Sequence, residues 1–280
     1  MTARVAMYSA KGGTGKTTTA INLMGACAAQ GLDVLLVDID PQGNATEALG
    51  FYDEWDATAP TMFDVLLDGA DPEPLLLEHE ECTVLPSNMD LLTIERELAY
   101  DHKADKPVLS YLDQALAQVD DEFDLTIIDC PPSFGFLTDS ALYAAGSVVI
   151  PALAESTSQR AVELLLKQIV RLEGEVNAKD SPDAYDPLRV AEVAAVANRV
   201  ETTGDAERMV EWMQTTFSGT PVFEVRKRVA LRRAIENHRS IHAHNESCDM
   251  ESVYDDLAET VLDHVGIDHQ TTETPQISNE

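Results

Sequence analysis

Apolar positions along this chain fall into short runs separated by helical periods, and the alternation continues almost from end to end. The first run, Arg4-Val5-Ala6-Met7-Tyr8, is β-like and leads into a glycine-rich loop. An apolar helix is predicted from Thr17 to Gln30, with Gly31 as its C-cap. Asp33-Val34-Leu35-Leu36-Val37-Asp38 then reads as a buried strand. Strand, loop, helix and strand make a βαβ unit, which implies a parallel sheet. Further buried strands are predicted at Cys82 to Leu85, Leu125 to Asp129, Ser147 to Ile150 and Val190 to Ala197. Helical patterns separate them over Asn88 to Tyr100, Pro107 to Val119, Ser156 to Leu172 and Asp205 to Thr216. The pattern predicts one doubly wound α/β domain over residues 1–265, with a mostly parallel sheet and helices on both faces. Asp180 to Pro187, rich in Asp and Pro, reads as a surface loop, and residues 266–280 as an acidic, polar, disordered tail.

Composition changes the picture only through its charge. Apolar residues make up 44% of the 280, enough for a sizeable core, but fifty Asp and Glu face nineteen Lys and Arg. The resulting formal charge of -31 excludes a generally basic nucleic-acid coat or a polybasic membrane binder. Only seven of the nineteen cations are lysines. An acidic, lysine-poor surface stays hydrated in concentrated salt, where a Debye length of roughly 3 Å leaves crowded carboxylates little repulsion. The sequence therefore predicts the cytoplasm of an extreme halophile, an archaeon, against the alternative of a merely acidic mesophile protein. No run approaches the ~18 apolar residues of a membrane span. The N-terminus carries no export signal, and the four widely spaced cysteines give neither a disulfide framework nor a zinc ribbon.

The chemistry concentrates in Ser9-Ala10-Lys11-Gly12-Gly13-Thr14-Gly15-Lys16-Thr17-Thr18. Three glycines let backbone N–H groups turn inward around a phosphate, and the following helix adds its N-terminal dipole. Lys16 is placed to reach β- and γ-phosphates, and the Thr17 hydroxyl to ligate Mg²⁺. The strict phosphate-loop pattern fails at one position, because Ala10 stands where its first glycine belongs. An extra lysine, Lys11, opens the loop instead.

With KGGTGKTTTAINL, then LLVDIDPQGNAT, then DLTIIDCPPS, the sequence resembles the deviant Walker A ATPases of the ParA/Soj partition branch. The VDIDPQGN block separates that branch from the MinD cell-division branch. The resemblance implies a P-loop fold, ATP and Mg²⁺ as cofactors, and slow ATP hydrolysis. It gives Lys11, Lys16 and Asp40 the catalytic roles, Lys11 by reaching across an ATP-dependent homodimer; as a bare residue, Lys11 also reads as a surface lysine. It gives Gly12, Gly13, Thr14, Gly15, Lys16, Thr17 and Thr18 to the phosphates. Asn198, which as a residue type equally suits a strand-end turn, goes to the adenine. Asp38 and Asp40 end the second strand, where an open α/β sheet binds ligands. Asp129 ends the apolar strand Leu125 to Ile128, where a buried carboxylate needs a cation such as Mg²⁺. The expected metal set is Thr17, Asp40 and Asp129.

A basic island stands out against the acidic background. Arg226, Lys227, Arg228, Arg232, Arg233 and Arg239 fall within fourteen positions beside one acid, Glu236, for a local charge of +5. By resemblance this is the region of nonspecific DNA contacts; by residue type alone it is equally an ion-paired helix face. The expected activity is a switch that partitions chromosomes or plasmids, or positions other cargo. It is nucleoid-associated and stimulated by a ParB-like partner. Two alternatives carry other signatures. A MinD-like membrane ATPase needs a basic amphipathic C-terminal helix, whereas Asp249 to Val265 is acidic. A metabolic or metal-delivery enzyme on the same loop needs a partner thiol for Cys130 or an added substrate domain. His238, His242, His244 and Cys248 read as a chance cluster, since no partnered motif accompanies them.

Overall fold

The computed structural model describes residues 3–178, 185–244 and 247–268. Lys179–Ala184, which include most of the expected Asp180 loop, and residues 269–280 of the expected tail lie outside the described residues. Eight strands form one sheet: β1 (Ala3–Met7), β2 (Val34–Asp38), β3 (Leu77–Glu78), β4 (Thr83–Leu85), β5 (Leu125–Asp129), β6 (Ser147–Leu153), β7 (Ala191–Val200) and β8 (Val222–Arg226). Their order is β3-β4-β2-β5-β1-β6-β7-β8, and every pairing is parallel except the short β3–β4 edge. The helices are α1 (Lys16–Ala29), α2 (Asn44–Ala48), α3 (Met62–Asp68), α4 (Ile94–Lys103), α5 (Tyr111–Leu116), α6 (Phe136–Ala145), α7 (Gln159–Val176), α8 (Gly204–Thr216), α9 (Val229–Glu236) and α10 (Glu251–Val265).

Side chains alternate across the sheet, so each central strand feeds two cores. Ala6, Leu35, Val37, Ile128 and Ile150 face the layer formed by α3 to α8. Val5, Met7, Leu36, Ile127 and Val149 face the layer of α1, α9 and α10. These continuous apolar runs are what a parallel sheet covered on both faces requires, and the predicted architecture holds. Strand β1 lies between β5 and β6, so crossovers leave it in both directions and open a crevice at the carboxyl ends of the strands.

Two predicted helices are shortened by their own caps. Asn88 accepts from the Asp90 amide and starts a 3-10 turn, Met89–Thr93, ahead of α4. Pro107 likewise precedes a 3-10 turn at Val108–Ser110 before α5. Strand β8, edge strand β3 and helices α2, α3 and α6 have no counterpart in the sequence reading, and α9 has one only in the ion-paired helix face weighed for the basic island.

Candidate functional site

The loop between β1 and α1 crosses the carboxyl edge of the sheet. Gly13 (φ 74°) and Gly15 (φ 89°) both take the left-handed conformation that a Cβ disfavours. Helix α1 starts at Lys16 with no side-chain cap, which leaves its first-turn amides for an anion. Lys16 is buried against the loop. Lys11 turns outward, and its Nζ donates to Thr157 Oγ1 at 3.1 Å. One loop thus holds two lysines with different orientations.

Three carboxylates meet this loop from the neighbouring strands. Asp38 and Asp129 are register partners on β2 and β5, and both are fully buried. Asp38 accepts from Thr46 N and Thr46 Oγ1, both at 2.8 Å, and from Asp40 N at 3.1 Å. Asp129 Oδ2 accepts from Thr17 Oγ1 at 2.6 Å, while its buried Oδ1 has no hydrogen-bond partner. Burial pushes both carboxyls well above the ordinary carboxylate range; hydrogen bonds from Thr46 oppose this at Asp38 and one from Thr17 at Asp129, while repulsion from Asp40 adds to it at Asp38 and from Asp38 at Asp129. Asp40 is raised by burial too, against the Gln42 amide and the Lys16 charge. An orphaned buried carboxylate oxygen beside a threonine hydroxyl is a hard-oxygen donor set, which fits Mg²⁺.

The Asp40 segment is held from three sides. Asp40 Oδ1 accepts from Gln42 N at 3.0 Å, Ser87 Oγ donates to the Asp40 carbonyl at 2.6 Å, and Trp55 Nε1 donates to the Pro41 carbonyl at 3.1 Å. Sequence reasoning missed Thr46, Ser87 and Trp55. Thr46 lies inside the VDIDPQGNAT block and was findable there; Ser87 and Trp55 reach the site only through the fold.

Beside α1 a cavity of about 520 Å³ opens between Gly15, Thr18, Val229 and the basic segment. Arg226, Lys227, Arg228 and Arg232 line it, so four of the six island residues flank this cavity. They are also engaged with acids. Arg228 grips Asp249 through two bonds of 2.6 and 2.5 Å, Lys227 meets Glu201 at 2.9 Å, and Arg232 lies 3.4 Å from Glu236. Arg239 sits apart and pairs with Glu80 at 2.9 Å. The six residues are thus not one continuous patch. Arg233 is exposed on α9. Asn198, given to the adenine by resemblance, lines this cavity, and its Nδ2 donates to the Thr14 carbonyl at 2.9 Å and to Thr19 Oγ1 at 3.2 Å.

Known proteins are similar to this chain. An AAA-domain family model matches residues 2–180. The sporulation initiation inhibitor protein Soj of Bacillus subtilis is 41% identical over 179 residues, 62% of this chain and 67% of that protein. The chromosome-partitioning ATPase Soj of Treponema pallidum is 31% identical over 256 residues, 90% of this chain and 94% of that one. The chain belongs to the Soj/ParA family of ATPases. Among solved structures, cobyrinic acid a,c-diamide synthase of Mycobacterium smegmatis with an ATP analogue and magnesium superposes with a TM-score of 0.75. It is 27% identical, and the match covers 97% of this chain and all of that one.

Within this Soj/ParA chain the remaining candidates resolve into structural contacts. His242 Nε2 meets Asp255 Oδ1 at 2.8 Å, and His238 Nδ1 lies 3.2 Å from the Ala48 carbonyl, so the two rings serve different neighbours. Cys130 is buried in the core as a free thiol. Helix α10 buries Tyr254, Leu257, Ala258, Val261 and Leu262 against the sheet and α1, which covers the apolar face that a membrane-docking helix would have to expose. No helix among the described residues is long and apolar enough to cross a membrane.

Proposed function

We propose that this Soj/ParA ATPase is an ATP-dependent dimerising switch that binds DNA nonspecifically and partitions chromosomes or plasmids, or positions other cargo. The observation that carries the reading is the Thr17–Asp129 pair, with its orphaned buried oxygen, under an uncapped helix N-terminus. Residues Gly12 to Thr18 would hold the triphosphate, with Lys16 facing the β- and γ-phosphates. Thr17, Asp129 and Asp40 would hold Mg²⁺. Bound Mg²⁺ would supply charge neutralisation on the phosphate oxygens. Asp40, fixed by Gln42 and Ser87, orients the attacking water. The adenine belongs in the cavity beside Thr18 and Val229.

Lys11 is assigned to the partner's nucleotide across a homodimer, and its outward course to Thr157 supports that role. Hydrolysis is slow because positioning groups are present while a further charge-stabilising group comes from a ParB-like activator. The acidic, lysine-poor surface supports a halophilic, cytoplasmic setting on the nucleoid. Residues 1–265 act as one ATPase domain and 266–280 as its tail. The test is sedimentation with Mg²⁺ in molar salt. Dimer with ATP, monomer with ADP, and monomer for Lys11→Ala in either nucleotide are expected; a monomer in ATP overturns the switch.

A further inference from the structure

Strand β2 ends at Asp38, so a turn and not the sheet ladder holds Asp40. That turn is Asp40-Pro41-Gln42-Gly43, closed by the Gly43 amide on the Asp40 carbonyl at 2.8 Å. The Pro41 carbonyl and the Gln42 N–H belong to one peptide unit, planar and trans, so they point in opposite directions. At one end the Gln42 N–H donates to Asp40 Oδ1 at 3.0 Å. At the other the Pro41 carbonyl accepts from Trp55 Nε1 at 3.1 Å. The indole, whose single donor is used there, thus sets the tilt of the peptide that grips the Asp40 carboxylate. Hydrogen bonds linked in such a chain polarise and strengthen one another. Trp55 itself has a firm support. Asn88, 3% exposed, donates through Nδ2 to the Glu54 carbonyl at 2.8 Å and the Ala57 carbonyl at 3.1 Å, on either side of Trp55. The preceding Ser87 donates to the Asp40 carbonyl. Two consecutive residues beyond β4 therefore pin both the Asp40 turn and the turn that carries the indole. Gly43 takes φ 65°, and a Cβ there would stand 2.8 Å from Trp55 Cδ1, so the glycine lets the ring close on the turn.

We infer that Trp55 is a positioning residue for ATP hydrolysis, acting through the Pro41–Gln42 peptide to fix the Asp40 carboxylate against the attacking water. Its bond goes to the turn and not to the phosphate loop, so it acts on turnover and not on nucleotide affinity. The inference rests on the water-orienting role proposed above for Asp40.

The experiment measures steady-state phosphate release from Mg²⁺-ATP, with ATP affinity by calorimetry, on the full chain in molar KCl. Trp55→Phe is compared with benzothienylalanine at position 55, an isostere that keeps the bicyclic ring and lacks the N–H. Each should lose about five- to tenfold in kcat, the worth of one neutral hydrogen bond, with KM and ATP affinity within about twofold of the parent. In an Asp40→Ala background the same change should cost nothing further, because the group it positions is gone. An isostere as fast as the parent would make Trp55 a packing residue. An equal loss in affinity would make it a general support of the fold, and an additive loss in the double variant would place its action elsewhere. Each of these overturns the inference. Normal turnover in Asp40→Ala alone would instead overturn the water-orienting reading. Since the isostere preserves ring size, it carries the test even if Trp55→Phe fails to fold. The Gln42 amide resonance should also move in the isostere, since it shares a peptide with the freed Pro41 carbonyl; an unmoved resonance refutes the transmission.

Discussion

Asp38 and Asp129 face each other across neighbouring parallel strands, neither touching solvent, and each is met by a threonine from a different helix. Thr46 gives Asp38 a backbone and a hydroxyl donor, whereas Thr17 satisfies only one oxygen of Asp129. Equal burial therefore leaves unequal satisfaction. Asp38 is built into the fold, and Asp129 retains capacity for a ligand. The metal set expected from sequence names Asp129 and not Asp38.

That asymmetry sets a pH dependence. Both carboxyls titrate above their unfolded values, chiefly because burial disfavours the charge. The native state then holds protons that the unfolded chain has released, so stability falls as pH rises from the ordinary carboxylate range, about 4, toward neutrality and above. Asp129→Asn removes part of this penalty. Its melting temperature without nucleotide should exceed that of the parent, and by more at pH 8 than at pH 5, measured in molar KCl. A constant difference across that range would show that Asp129 does not carry the raised pKa.

Two loop variants separate binding from turnover. Lys16→Ala removes the buried loop cation and should weaken ATP on the order of a hundredfold, since charge-assisted bonds in a dry site are the strong ones. Near-normal affinity by calorimetry would refute the phosphate assignment. Asp40→Ala should keep ATP binding, lose about 10²-fold or more in hydrolysis, and leave the dimer locked. Normal turnover by phosphate release would remove Asp40 from the water-positioning role.

The legibility of this protein follows the range of its interactions. The βαβ unit, the loop and the strand-end carboxylates are local features, and local spacing predicts them correctly. Strand β8 is only five residues, Val222–Arg226, with an exposed edge, and its alternation is too short to separate from a turn. Helix α9 mixes apolar positions with arginines and follows Arg228, whose partner Asp249 lies elsewhere in the chain. Asn198 has the same difficulty. An asparagine at a strand end suits a base or a turn equally, and only the folded proximity of Thr14 and Thr19 shows where its amide points.

Salt should stabilise this chain. A formal charge of -31 on 280 residues makes unscreened carboxylates repel across the surface, and each contraction of the Debye length relieves them. The melting temperature should rise steadily from 0.1 M to about 3 M KCl, where screening acts within roughly 3 Å. Sucrose at matched water activity should do less, because it excludes itself from the surface without screening charge. A flat salt response would mean that the acidic surface has no role in adaptation to salt.

DNA binding must overcome that same charge. Phosphate contacts gain from counterion release, and log affinity falls by about 0.9 per neutralised phosphate for each decade of salt. In molar salt that gain nearly vanishes, so bulk charge cannot hold the duplex and directed arginine bonds must do more. The structure narrows where these can come from. Arg228 is committed to Asp249 by a two-bond fork, and Lys227 to Glu201, whereas Arg232 and Arg233 are exposed on α9, where Arg232 lies 3.4 Å from Glu236. Surface pairs of that kind are weak and exchangeable for phosphate. Two such helices in an ATP-bound dimer would add avidity that one lacks. Replacing Arg232 and Arg233 by Glu should therefore abolish ATP-dependent co-sedimentation with DNA at working salt while leaving the ATP-induced dimer in place. Because Arg232 also lines the cavity beside Thr18, ATP affinity is measured in the same variant, and an unchanged value attributes the loss to DNA. If the double variant sediments with DNA as the parent does, α9 is an ion-paired helix face and the DNA site lies elsewhere.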